Sequence, residues 1–346
     1  MAPKHNCFGQ RPTANLTYMP PSSSSLALAT AVGSAVVVFA YLRRRQQRRV
    51  GPMAWMRGQI MPLHKASLSV NDWGIVHSDI TYDVAPVIAG SFFRLEDYIA
   101  RFLNSARALK MDVGLTPAEI ESALLSMVAR SQLRDAYVAM VVSRGVPLVA
   151  GSRDPRDCGN HFYAWCVPYV HIIKPEVSTA GGASAWVAKQ ARRTPKTTFD
   201  PRVKNYQWGD MTIGLLEAKE RGFDTTFLLD HEGNVTEGPG FNVFSVQSDG
   251  RLITCESGML EGISRRTVLE ICRALGYKVE VRPLPLEELM SGTEVFLTST
   301  AGGVMPITRV DDTSFGGGKP GAVSQAIRST YWEWAKRPEM RTEVPY

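Results

Sequence analysis

From Ala54 to the C-terminus, short runs of strand character alternate with runs of helical periodicity, and no segment repeats another. Such mixing excludes a helical bundle, a coiled coil and a repeat solenoid, and leaves an α/β or α+β body. Residues 80–87 (ITYDVAPV) and 91–94 (SFFR) flank Ala89-Gly90 and predict a hairpin. The run 95–110 places Ile99, Phe102, Leu103 and Ala106 on one helical face. A second helix starts at Thr116-Pro117-Ala118-Glu119, where Thr116 caps, Pro117 fits the first helical position and Glu119 closes a capping box. Residues 136–143 and 161–170 predict strands, joined by a Gly/Pro/Asp-rich stretch over 145–160 that is too polar for an interior element.

Pro168, Pro175 and Gly181-Gly182 mark a linker over 165–180, so the expected division is a domain at 51–170 and a larger one at 171–346. The second part predicts a strand near 184–191, a polar segment 192–203, a helix over 211–221 closed by Gly222, and strands at 225–230 and 241–247 around the segment 231–240. A helix over 264–275, a strand over 294–299 and a closing helix over 322–336, with Ile327, Tyr331 and Trp334 on one face, complete it.

The first fifty residues stand apart. They hold seven basic residues and no Asp or Glu, so with a net charge of +6 for the whole chain the rest of it nets −1. A nearly neutral body does not call for a nucleic-acid partner. Residues 26–42 are uncharged and apolar, and Arg43-Arg44-Arg45 follows at once. As a helix this segment spans about 25 Å, a little short of a hydrocarbon core of about 30 Å. Three readings fit: a membrane anchor with the catalytic body on the cytoplasmic side, an organelle-import (mitochondrial) leader, and an unused extension. All three place residues 1–50 outside the fold. The five cysteines form no C-x-x-C pair, which points to unpaired thiols rather than a disulfide frame or a zinc site.

Three small-residue turns suggest an anion site. Gly262-Ile263-Ser264 precedes a helix whose first N–H groups attract phosphate. Thr298-Ser299-Thr300-Ala301-Gly302-Gly303 ends a strand where backbone can approach a ligand closely, and Arg101 on the helix over 95–110 can supply counter-charge. Each also has an ordinary structural reading, a capped helix or a tight turn. Lys204 lies in the run Val203-Lys204-Asn205-Tyr206-Gln207-Trp208; among aromatics a lysine loses its proton more readily, which suits covalent amine chemistry, although a surface lysine beside a turn has the same spacing. Glu237 stands among glycines in Thr236-Glu237-Gly238-Pro239-Gly240, where it can meet a protonated ring nitrogen or simply face solvent. No catalytic-triad order, H-E-x-x-H, phosphate loop or dinucleotide fingerprint is present.

In order along the chain, the blocks HSDITYDV (77–84), SFFRLEDYIARF (91–102), DPRVKNYQWGD (200–210), TEGPGFNVF (236–244), LEGISRRTVLE (260–270) and TSTAGGVMPIT (298–308) resemble the class IV (fold type IV) pyridoxal-phosphate enzymes, and most of all the (R)-selective amine transaminases. The resemblance runs from about Ala54 to the C-terminus. It implies a small N-terminal α/β domain, a larger C-terminal β-barrel-like domain with helices, pyridoxal 5′-phosphate between them, no metal, and a homodimer. It implies that Lys204 is the Schiff-base lysine and proton shuttle, that Glu237 meets the pyridinium nitrogen, and that Arg101, the Ile263–Ser264 backbone and Thr300 hold the phosphate. His77, shared across the dimer interface, would join Tyr82, Val84, Tyr137 and Ala301 around the substrate. Arg153, with Arg156 second, is the expected carboxylate-binding arginine. Four departures bear on the pocket: Asp97-Tyr98 in place of Asp-His, Pro239 in place of Ser, Ala139 where relatives often carry a glutamate, and the hard-to-align arginine loop.

The implied reaction is amino transfer between a primary amine, R-configured by the resemblance, and a keto acid such as pyruvate. A D-amino-acid or branched-chain amino-acid transaminase, or a lyase like the aminodeoxychorismate lyases, uses the same fold. A binding protein with a retired site is disfavoured by the intact Lys204 and Glu237.

Overall fold

The computed structural model describes residues 51–346, and the apolar segment 26–42 lies outside them. Two sheets organise this part of the chain. The first has seven strands: β1 (Met53–Met56), β2 (Gln59–Pro62), β3 (Ile80–Ile88), β4 (Ser91–Phe93), β5 (Ala136–Pro147), β6 (Cys158–Pro168) and, returning from the C-terminus, β16 (Arg341–Glu343). Their spatial order is β16-β4-β3-β5-β6-β1-β2, and every pairing is antiparallel. A one-turn helix, α1 (Trp73–Val76), leads into β3. Helices α2 (Leu95–Ala108) and α3 (Pro117–Ser131) cover one face, burying Leu95, Phe102, Ile120, Leu124 and Met127 against Ala85, Val87, Val138 and Met140. The capping box at Thr116 and Glu119 forms as the sequence predicts. The other face carries Tyr82, Val84, Ala139 and Val141 toward the segment of Lys204.

The second sheet contains β7 (Ala183–Val187), β8 (Thr225–Leu229), β9 (Val235–Gly238), β10 (Phe241–Val246), β13 (Glu294–Ser299) and β14 (Gly303–Val310). Because β9 pairs with both β8 and β10, these six strands close on themselves into a barrel. Closure removes the open edges, and alternation sends Ala185, Val187, Phe227, Val243, Leu297 and Ile307 inward. Leu289, on the short helix α7 (Leu286–Met290), joins this inner cluster. The opposite register, including Phe244, Phe296 and Val304, packs against α6 (Ile263–Ala274) and α8 (Ala322–Trp334). Strands β11 (Leu252–Thr254) and β12 (Val279–Val281) extend the sheet beyond β10, and β15 (Thr313–Ser314) pairs with β14. The mixed α/β content and the barrel agree with the fold expected from the sequence, and residues 51–346 fall in one compact unit.

Several local expectations need correction. Strands β5 and β6 run on to Pro147 and from Cys158, leaving only 148–157 as loop, because a bulge after Ser143 and the left-handed Gly145 let a polar hairpin continue past the core. Within 231–240 the chain forms β9, so Glu237 sits inside a strand. The helix placed at 264–275 begins at Ile263 with Gly262 as its N-cap and no capping side chain. The linker over 165–180 is shorter than expected, since β6 holds to Pro168 and a short helix, α4, covers Pro175–Ala180. The strand near 184–191 stops at Val187.

Candidate active site

Lys204 lies on the irregular stretch between β7 and α5 (Gly209–Glu220). Its backbone is tied to the first sheet and to α2: its carbonyl accepts from Thr81 Oγ1 (2.6 Å) and the Tyr82 amide (3.3 Å), and its amide donates to Ser105 Oγ on α2 (3.3 Å). The side chain enters a cavity bounded by both sheets, and Nζ stands 4.5 Å from the centre of the Tyr82 ring. Tyr82 packs on Tyr206 at 4.3 Å between ring centres. Burial first, and then the Arg101 charge, lower the Lys204 ammonium to about 8, against the opposing pull of Asp83 and Glu237.

At one end of this cavity α2 presents Arg101. Asp83, fully buried on β3, grips it through Nε (2.8 Å) and Nη2 (2.7 Å), while Nη1 donates to the Glu261 carbonyl (3.0 Å). Three of five N–H donors are engaged, so two remain for a ligand. Gly262, Ile263 and Ser264 line the same end with the uncapped first turn of α6. A side chain on residue 262 would come within 2.1 Å of Asn242 Oδ1, so only glycine lets the turn sit this close. Thr300 Oγ1 is held by Tyr98 Oη (2.8 Å), which gives the Asp97-Tyr98 departure a job, and Asp97 pairs with Arg94 and Arg266. Ser264 Oγ meets Tyr331 Oη (3.0 Å) instead of capping the helix.

At the other end stands Glu237, 3% exposed, whose Oε1 accepts from Arg193 Nε (2.9 Å) and Oε2 from the Leu260 amide (3.1 Å). Burial lifts its carboxyl above the ordinary range, while Arg193, Leu260 and Lys204 pull the other way. The cavity fits a flat phosphorylated ring: a cationic, uncapped phosphate end, a buried carboxylate opposite, and Thr298 Oγ1 buried in the wall with no hydrogen-bond partner.

A second chamber adjoins at Lys204. Tyr82, Val84, Tyr137 and Ala301 line it, with Ile172 and Pro239. The structure therefore gathers Arg101, Lys204, Glu237, Ile263, Ser264 and Thr300 in one cavity and four of the expected substrate contacts in the next. His77 and Arg153 line neither. His77 is exposed at the end of α1, edge-on to Trp73 at 4.6 Å between ring centres, and Arg153 is exposed in the 148–157 loop. Arg156, beside it, pairs with Asp154.

The roles of Asp83, Arg193, Asp210 and Asn242 went unnoticed in the sequence. Asp83 had a readable signal, an acid at a core-facing position of a buried strand. Arg193 had none, since one arginine in a polar run resembles any surface residue.

The family model for amino-transferase class IV matches residues 81–310. A putative branched-chain-amino-acid aminotransferase of Methanocaldococcus jannaschii is 30% identical over 80% of this chain and 94% of its own length. A D-alanine aminotransferase of Bacillus licheniformis is 29% identical over 79% of this chain and 93% of its own. Among solved structures, a T.th. branched-chain amino acid aminotransferase with pyridoxamine 5′-phosphate superposes with a TM-score of 0.78, at 29% identity, over 86% of this chain and 99% of that one. Among the described residues no helix is long and apolar enough to cross a membrane.

Proposed function

The chain belongs to the class IV aminotransferases, which makes it a pyridoxal-phosphate-dependent transaminase, and on that footing we propose that it moves an amino group between a primary amine of R configuration and a keto acid such as pyruvate. One observation supports the amine as donor, with the keto acid's carboxylate left to Arg153 of the neighbouring subunit. In the turn bordering the second chamber, the Ala301 amide already donates to Ser299 Oγ (3.1 Å) and the Gly302 amide to Tyr169 Oη (3.0 Å). An α-carboxylate needs convergent donors, and the chamber wall offers no arginine. Among the described residues Lys219 is the cation there besides Lys204, and one of its three N–H groups donates to the Asp224 carbonyl (2.6 Å). Ala139, behind Tyr137 and fully buried, adds no charge.

In this reading the free N–H groups of Arg101, the first-turn amides of Ile263 and Ser264, and Thr300 hold the phosphate, and Glu237 faces the ring nitrogen. Bound pyridoxal phosphate supplies the electron sink for charge developing at the substrate carbon. Lys204 would carry the cofactor at Nζ and, once displaced from it by the amine, with its ammonium lowered to about 8, would take and return a proton there near neutral pH. Burial keeps the Tyr82 phenol protonated, and its ring lies against Nζ, backed by Tyr206 and Trp208. The division after residue 170 belongs to the same reading, supported by six of the seven strands of the first sheet lying before it. So does a homodimer in which His77 and Arg153 serve the neighbouring subunit's chamber, supported by the exposure of both residues.

The names of the relatives favour a second reading, a branched-chain or D-amino-acid transaminase. The purified enzyme, assayed with pyruvate against both enantiomers of 1-phenylethylamine and a panel of D- and L-amino acids, separates the two. Preference for an amino acid over the R amine would overturn the first.

A further inference from the structure

We infer that Asp210, acting through Arg193, is a positioning residue that sets how firmly Glu237 holds a proton on the aromatic nitrogen it faces. The inference rests on the placement of Glu237 proposed above. Asp210 closes the VKNYQWGD run, and nothing in the reaction so far uses it. Its carboxylate does not line the cavity. Oδ2 accepts from Arg193 Nη1 (2.7 Å), the Thr194 amide (2.9 Å) and Thr194 Oγ1 (3.1 Å), and Oδ1 accepts from the Met211 amide (2.7 Å). Arg193, held at its amide by the Leu229 carbonyl (2.9 Å), turns its Nε to Glu237 Oε1 (2.9 Å). The side chains of Asp210, Arg193 and Glu237 are 10%, 10% and 4% exposed.

Two carboxylates and one guanidinium leave this end of the cavity with one net negative charge. Burial keeps that charge from being screened by solvent. Because Asp210 claims one edge of the guanidinium, Arg193 is shared, and Glu237 keeps part of its charge for the ligand. With Asp210 neutral, Arg193 and Glu237 would cancel, and a proton on a facing nitrogen would add an uncompensated positive charge. With Arg193 neutral and Asp210 intact, the excess negative charge would hold that proton more tightly. A purely structural role, in which Asp210 only secures the first turn of α5, predicts no such opposite signs.

The full-length protein loaded with pyridoxal phosphate labelled with 15N in the ring gives a direct readout, the pH at which the ring resonance leaves its protonated position. Asp210→Asn should lower that pH by about one unit, a roughly tenfold change in the equilibrium. The same variant should lose about tenfold in kcat, with KM for the amine and Kd for the cofactor within about twofold. Arg193→Met should raise the transition pH. The double variant Asp210→Asn/Arg193→Met, which restores one net negative charge, should return it to near the parent value. Should Asp210→Asn fail to fold, Arg193→Met and the double variant still decide the matter, since equal transitions in these two overturn the inference. An unchanged transition in Asp210→Asn overturns it as well. Glu237→Gln, run in parallel, keeps the two ideas apart: no change there removes the placement of Glu237 and this inference together, whereas a change there with none in Asp210→Asn removes this inference alone.

Discussion

Replacing Lys204 by methionine should abolish turnover and yet make the cofactor-free protein more stable. The lysine keeps its proton up to 10.5 in the unfolded chain but only to about 8 in the folded one. Below pH 8 both states are protonated, so the folded state bears the whole cost of a buried ammonium. Between 8 and 10.5 only the unfolded chain binds the proton, and the cost fades as the pH rises. A displacement from 10.5 to about 8, at about 1.4 kcal/mol per unit, amounts to about 3 kcal/mol at pH 7 and falls to about 1.4 kcal/mol at pH 9.5. Lys204 is half-buried rather than fully buried, so a gain of roughly 2–3 kcal/mol at pH 7 is the expected outcome. Methionine keeps an unbranched stem of similar reach and removes the charge that stands over the Tyr82 ring. Urea unfolding of the two cofactor-free proteins at pH 7 and pH 9.5 measures the difference directly. A Lys204→Met protein less stable than the parent at pH 7, or one whose advantage does not shrink toward pH 9.5, refutes the reasoning.

Glu237→Gln should cut kcat by on the order of 100-fold while the protein still retains its cofactor through the phosphate end, which absorbance of the purified variant and steady-state rates will check. Arg101→Lys replaces a planar fork by a point charge, so the grip of Asp83 is lost and cofactor Kd should rise roughly 10- to 100-fold by equilibrium titration. Gly262→Ala brings a methyl within 2.1 Å of Asn242 Oδ1, and thermal unfolding should show a loss of about 1–3 kcal/mol together with weaker cofactor binding. Arg153→Ala should raise KM for pyruvate and spare the amine half-reaction, since only the acid carries a carboxylate; equal losses in both half-reactions would exclude it.

What the sequence determined by itself was local or periodic. The helix over α2, the Thr116 capping box, the hairpin at Ala89-Gly90 and the buried face of α8 are written in spacings of two, three and four residues, because the backbone geometry that reads them is local. The small-residue turns at Gly262 and Thr298–Gly303 were legible for the same reason, since glycine marks close approach. Strand β9 was not legible: four residues between turn formers carry no period, and its pairing with both β8 and β10 exists only once the barrel closes. Tertiary structure alone decided the electrostatics. Asp83 meets Arg101 from 18 positions away, and Arg193 reaches Glu237 from 44. A charge in a sequence has a type but no surroundings, and burial beside a particular partner turns an ordinary lysine, glutamate or arginine into one with a shifted proton affinity.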